Sequence, residues 1–370
     1  MALRQNKGRL AMNARENLLS LYRRQGYEFA PAELEMCPAI AAKVKDAVGE
    51  GSSLADHCDY QRGFARVGVP GPKRAAGQER DWRRFYEETL HPDTSFGDYG
   101  VAMERGYEGT HHLHRMHHPL AKADSLEQLK AYPWPEWDFE DIRHMSDAVS
   151  GARAQGLPAI GSLACTVWET AWYVRDMTAL MTDMALDDEK ASFIIDKVAS
   201  DATKKAVAFA KAGVDILCLG DDIGMQRTIM MSLDMYRSWL KPQLAKVIAA
   251  AKSVKPDLLV QYHSCGFIEP YLPDLIDAGI DILNPVQPEC MDFAGIHAEF
   301  GDVLSFNGTL GTQSTMPFGS PEDVKETVRR NLRIAGSRGG LLVAPTHMLE
   351  PEVPWANIEA YVIACRDYRP

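Results

Sequence analysis

No apolar run in this chain approaches the ~18 uninterrupted residues that a membrane-crossing helix needs. Its opening stretch, MALRQNKGRLAMNARENLL, carries basic residues without the apolar centre of a signal peptide. A soluble, cytoplasmic protein is expected. An excess of positive charge is also lacking: 40 Lys and Arg face 51 Asp and Glu, a formal charge of −11. Such a surface repels nucleic acid and anionic membrane, so neither is an expected partner. Cysteine is sparse, and its seven copies, Cys37, Cys58, Cys165, Cys218, Cys265, Cys290 and Cys365, show no short repeated spacing. That excludes a disulfide scaffold and suits reduced thiols, one or two of them as metal ligands. Missing too is a GxGxxG after the first strand-like run, which weakens a dinucleotide-binding doubly wound sheet.

What remains is an ordinary globular composition, 46% hydrophobic and 25% charged over 370 residues, enough for one large core. From about residue 157 short apolar, β-branched runs alternate with helix-period segments. The runs fall at 158–163, 214–219, 258–262, 280–283, 303–306 and 340–343, and the helical patterns at 169–186, 188–212, 233–254, 268–278, 321–334 and 357–368. Strands apolar on both faces, each followed by a helix, imply a covered parallel sheet. The fold class expected is α/β, a (β/α)8 TIM barrel over 151–370. Residues 1–150 are expected to be a helical and irregular extension, with helices at 15–24 and 32–48, which supplies missing barrel elements and covers the mouth.

A barrel of this kind carries its chemistry where its strands end. Just past each run stand CTVWE at 165–169, GDDIGMQ at 220–226, HSCG at 263–266, NPVQPE at 284–289, NGTLGTQ at 307–313 and PTHM at 345–348. Helix caps and turns account for many of the Asn, Asp, Gly and Thr among them, but not for His263, Cys265, Gln287 or His347. His263 and Cys265 lie two apart at a strand end, so imidazole and sulfur point to one side, and Gly266 permits the turn that follows. Mixed nitrogen and sulfur ligation suits Zn²⁺, whose catalytic sites take three protein ligands and leave one position open. The third ligand is open between His347, Cys290, Glu289, Asp221 and Asp222. Glu169, Asp221, Asp222 and Gln226 are candidates for orienting a substrate or moving its proton, with helix capping as the plainer role of the two aspartates. Trp168, Met225, Gln287, Asn307, Gln313 and Met348 are candidates for lining its pocket. Residues 108–120, EGTHHLHRMHHPL, hold five His in eight positions from His111 to His118, a density that fits metal contact or a two-sided hairpin.

These strand-end motifs, in this order, resemble the uroporphyrinogen decarboxylase-like superfamily, and within it the zinc- and corrinoid-dependent methyltransferases and O-demethylases. The resemblance implies a TIM barrel. It further implies zinc held by the His and Cys of HxCG, here His263 and Cys265, and by a residue in the Ala-Pro-Gly-Cys position. That position reads Ala344-Pro345-Thr346-His347 here, so His347 stands where the branch has a thiolate. A corrinoid (cobalamin) carrier protein is the partner this implies, because the chain has no DxHxxG cobalamin motif of its own; a homodimer is common in the family. The small-molecule partner is then a methyl donor or acceptor. The tetrapyrrole decarboxylases of the superfamily are the alternative, a metal-free lyase, but the strand ends here are acidic or neutral where a polycarboxylate needs Arg and Lys. A non-enzymatic tetrapyrrole-binding barrel is a third reading.

Overall fold

The computed structural model describes residues 12–60, 63–73, 81–106 and 114–370. Its strands are β1 (Ala65–Val67), β2 (Ser95–Phe96), β3 (Ala102–Arg105), β4 (His114–His117), β5 (Ala159–Leu163), β6 (Ile216–Gly220), β7 (Leu259–His263), β8 (Ile282–Asn284), β9 (Ser305–Leu310) and β10 (Leu341–Pro345). Seven of them form one sheet in the order β1-β5-β6-β7-β8-β9-β10, with every neighbouring pair parallel. Helices return the chain between them, so the fold is TIM-like α/β as expected, with seven parallel strands among the described residues where a (β/α)8 barrel has eight, and no pairing between β1 and β10. β2, β3 and β4 make a separate antiparallel sheet.

All six expected strands are present, most displaced one or two residues toward the carboxyl end. Backbone pairing continues there after the inward side chains have turned polar, so an apolar run understates the strand. Three helical segments are interrupted or shortened. The pattern at 169–186 breaks into Trp168–Arg175 and Met177–Ala185 at Asp176, whose φ is 78°. That at 233–254 breaks before Pro242, which cannot donate its missing N–H. The helix expected over 32–48 starts only at Pro38, as Pro38–Val48. A proline drives the residue before it out of the helical region and itself fits a helix's first turn. The preceding residues instead run beside the sheet. Met36 bridges Leu349 in parallel, Leu349 N–H donates to Glu35 O, and Glu33 reaches Arg66 of β1 at 3.5 Å.

The helix Ala14–Tyr22, fixed by an Asn13/Glu16 capping box, lies at the end of the barrel opposite the strands' carboxyl ends. Arg15 Nε and Nη2 donate to Asp215 at 3.0 and 2.7 Å, Ser305 Oγ donates to Tyr22 O, and Gly340 N–H donates to Leu21 O. Asp215, Ser305 and Gly340 each stand at or just before the start of a strand, so this helix is a floor. Above it, alternation along the strands sorts side chains into two sets. Leu217, Val260 and Tyr262 are buried outward under the helices. Ser162, Cys218, Gln261 and His263 face an interior cavity of about 510 Å³. Among the described residues, no helix is long and apolar enough to cross a membrane.

Candidate active site

The carboxyl end of β7 presents His263, and the loop that follows presents Cys265. β6 can pass this close because Gly220 has no Cβ; one placed there would sit 2.7 Å from His263 Cβ. At the turn, Gly266 has φ of +85°, and its N–H donates to Gln287 Oε1 at 3.0 Å, so Gln287 fixes the loop that carries the thiol.

His263 is paired in register with Asn284 of β8, and its Nδ1 stands 2.6 Å from Asn284 Oδ1. Asn284 Nδ2 donates to Asn307 O at 2.9 Å, which turns the amide oxygen toward the ring. Nδ1 therefore carries the proton, and Nε2 presents its lone pair. That lone pair faces Cys265 Sγ at 3.5 Å and Asp222 Oδ1 at 3.7 Å. Asp222 Oδ1 also accepts the Cys265 N–H at 2.7 Å. The ligand atoms of Asp222, His263 and Cys265 all lie within 4.8 Å of one another, alone in this among the described residues. Tetrahedral zinc, with bonds of about 2.0–2.3 Å, places its ligands roughly 3.3–3.8 Å apart. The N–S and N–O separations here fall in that interval, so the residues present fit the ion. Burial, with the charges of Asp222 and Glu169, pushes the Cys265 thiol up. A cation among these groups would reverse that effect.

The two aspartates separate cleanly. Asp221 is buried, with both oxygens accepting from Val167 N–H and Oδ1 also from Glu169 N–H, so it caps the helix Trp168–Arg175. Asp222, one residue on, belongs to the donor group. Glu169 bridges outward from it: its Oε2 accepts the Asp222 N–H, and its Oε1 accepts the Tyr173 hydroxyl at 2.8 Å. Burial, then the Asp222 charge, pushes the Glu169 carboxyl up. Cys165 stands 3.8 Å from Tyr173 Oη and is pushed up to about 12 by its recessed setting and by Glu169. Sequence reasoning missed Tyr173 and Asn284 as members of this network. The available signal for Asn284 was its place at the end of the strand beside His263.

A second cavity, of about 430 Å³, opens at the mouth and includes Cys265, Gln287, Met225, Gln226 and Gln313 in its lining. Gln226 Nε2 donates to Gln313 Oε1 at 3.0 Å across it. Thr346, His347 and Met348 line both cavities, which places His347 on their common wall, outside the close group of three. Asn307 lines the deeper cavity, below His263. Trp168 is fully buried and lines neither cavity; its place is in the core. Glu289 accepts from Gln313 N–H and Ser314 Oγ, and Cys290 is half-buried; neither joins the group of three. In the His-rich stretch, His111 and His112 lie outside the described residues. His117 sits between Glu88 and Glu104, at 3.0 and 3.3 Å, and His118 Nδ1 meets Tyr173 O at 2.8 Å.

If these residues hold zinc with Asn284 orienting the ring, Asn284→Ala is expected to lower zinc affinity by roughly 10- to 100-fold with the fold intact. Competition with a chelating dye on the purified variant measures it.

A parallel barrel with acids, an imidazole and a thiol gathered at its strand ends is the architecture of a TIM-barrel enzyme. The chain belongs to the uroporphyrinogen decarboxylase (URO-D) family, whose profile matches residues 99–368. It is 23% identical over 255 residues to the uroporphyrinogen decarboxylase of Pseudomonas syringae pv. syringae (strain B728a), covering 66% of this chain and 69% of that protein. The uroporphyrinogen decarboxylase of Pseudomonas savastanoi pv. phaseolicola matches to the same extent. Among solved structures, a methyltransferase from Methanosarcina mazei superposes with a TM-score of 0.64 over 95% of this chain and 98% of its own, at 17% identity. That likeness shows the shared fold.

Proposed function

We propose that this enzyme is a zinc-dependent methyltransferase that moves a methyl group between a small sulfur or oxygen compound and a corrinoid held by a separate carrier protein. One observation carries the reading: donor atoms of three kinds, from Asp222, His263 and Cys265, gather within 4.8 Å of one another at the carboxyl end of the barrel, with His263 Nε2 at 3.5 Å from the sulfur and 3.7 Å from the carboxylate. His347, on the wall of the same recess, is the further imidazole available to the ion. When bound, zinc stabilises negative charge on the heteroatom that gives or receives the methyl group.

The chain's own residues do the rest. Asn284 keeps the His263 proton on Nδ1, and Gln287 holds the turn that presents Cys265. Glu169 holds the Tyr173 hydroxyl proton at Oε1 and is the carboxylate beside the donor group to which an incoming thiol can release its own. Gln226 and Gln313 pair across the mouth, and Met225, 52% exposed, gives the rim an apolar contact for a docked carrier. In the transfer itself the methyl carbon bonds to the heteroatom, and the electron pair of the broken bond stays with the carrier.

The lyase reading has the decarboxylase relatives in its favour. The charge at the site argues against it, because Glu350 and Glu352 line the recess, with Asp222 and Glu169 behind Cys265, and carboxylates repel a polycarboxylate. The deciding experiment incubates the purified protein with methylcobalamin and a panel of small thiols. Methyl transfer that depends on zinc supports the proposal; decarboxylation of a tetrapyrrole carboxylate by metal-free protein overturns it.

A further inference from the structure

The interior cavity continues well below the donor group, and its wall changes character there. Two residues down β7 from His263, about 6–7 Å at the rise of a strand, stands Gln261. Cys218 is its register partner on β6, and Ser162 is the partner of Cys218 on β5. A barrel interior at this depth is ordinarily filled with branched apolar side chains. Here it holds a polar layer around open space.

The layer is built, with its acceptors prominent. Asn307, 5% exposed, donates through Nδ2 to Glu33 Oε2 at 3.0 Å and Gln261 Oε1 at 3.1 Å. Those two acceptors fix its amide orientation, and its Oδ1 is buried without a hydrogen-bond partner. A buried acceptor left unmatched is unfavourable, and a donor that reached it would relieve the cost. Glu33, whose Oε1 meets Arg66 at 3.5 Å, is the carboxylate of this layer; Glu35, whose carbonyl accepts the Leu349 N–H, lines the same cavity nearer the mouth. Burial pushes the Glu33 carboxyl up, and an approaching positive charge would relieve it. Leu18 and Tyr22 of the floor helix close the space beneath.

We propose that this lower layer is the second half of the substrate site and binds a protonated amine. The substrate class is then a small molecule with sulfur or oxygen at one end and an ammonium group two to three carbons away. The inference rests on the methyl-transfer reading for the first end and on Glu33, Asn307 and Gln261 for the second. Carboxylate, sulfonate and phosphate tails are disfavoured, because they would meet Glu33 and the unpartnered Asn307 oxygen.

Three thiols of equal length, 3-aminopropanethiol, propanethiol and 3-mercaptopropionate, are titrated calorimetrically into zinc-loaded protein. The amine is expected to bind at least 10-fold more tightly than propanethiol, and the acid more weakly than either. Glu33→Gln and, independently, Gln261→Leu are expected to bring the amine within about 2-fold of propanethiol while zinc content stays unchanged. Equal binding of all three, tightest binding of the acid, or an amine preference that survives both substitutions overturns the amine site and leaves the metal reading intact. A protein that takes up neither zinc nor propanethiol overturns the metal reading instead. Propylammonium titrated into metal-stripped protein then decides the lower layer by itself. Saturable binding lost in Glu33→Gln supports it; no binding overturns it.

Discussion

Purified protein is expected to carry about one zinc per chain, and His263→Ala or Cys265→Ala is expected to release it. On the proposed reading both residues would supply a donor atom directly, so each loss should exceed the roughly 10- to 100-fold expected when only a supporting residue such as Asn284 is removed. Asp222→Asn belongs in the same series. Its Oδ1 stands 3.7 Å from His263 Nε2 and accepts the Cys265 N–H at 2.7 Å, so an amide there weakens the site twice over. An Asn can present its nitrogen where the oxygen stood, and it brings no charge to offset the ion's. Elemental analysis of each variant, beside a circular dichroism spectrum, separates loss of metal from loss of fold. Wild-type protein that folds without zinc and gains none on titration would defeat the assignment.

The second large effect concerns the floor. Asp215, 2% exposed, accepts from both Arg15 nitrogens and from the Ala159 N–H at 3.0 Å. Asp215→Ala leaves a guanidinium without its bidentate partner and an N–H without an acceptor at the start of β5. Removing one member of a fully buried pair costs about 3–5 kcal/mol, and because the Arg15 side chain is 31% exposed the loss here is expected at or below the lower end of that range. The urea midpoint is expected to fall accordingly. Because Leu18 and Tyr22 ride on the same helix as Arg15, ligands reaching the lower cavity should weaken too. Arg15→Ala should cost less, since its side chain is partly exposed and the carboxylate it leaves retains the Ala159 N–H.

Much of this was legible in the sequence for reasons that can be named. A parallel strand buried on both faces writes itself as an unbroken apolar run, which is why β5 to β10 were visible. His263 and Cys265 were visible because two residues along a strand end is one side of it. The aspartates were not separable, because direction in a loop changes completely from one residue to the next. Asp221 turns back to cap Trp168–Arg175, and Asp222 turns toward the thiol. Trp168 looked like a pocket wall beside Glu169, yet the helix that carries Glu169 toward the recess carries Trp168 into the core. Glu33 and Arg66 gave no signal at all. They stand more than 190 residues before Gln261: the path around Glu33 depends on Met36 pairing with Leu349 at the far end of the chain, and Arg66 is placed by the pairing of β1 with β5.

Among the described residues, the helix beneath the barrel closes the interior from below and leaves the mouth above as its entrance. Reactant and product must use the same doorway, single file, and whatever settles across it stops traffic in both directions. If a carrier docks there as proposed, turnover alternates, small molecule in, carrier on, carrier off, small molecule out, and an excess of carrier is expected to slow the cycle that it feeds.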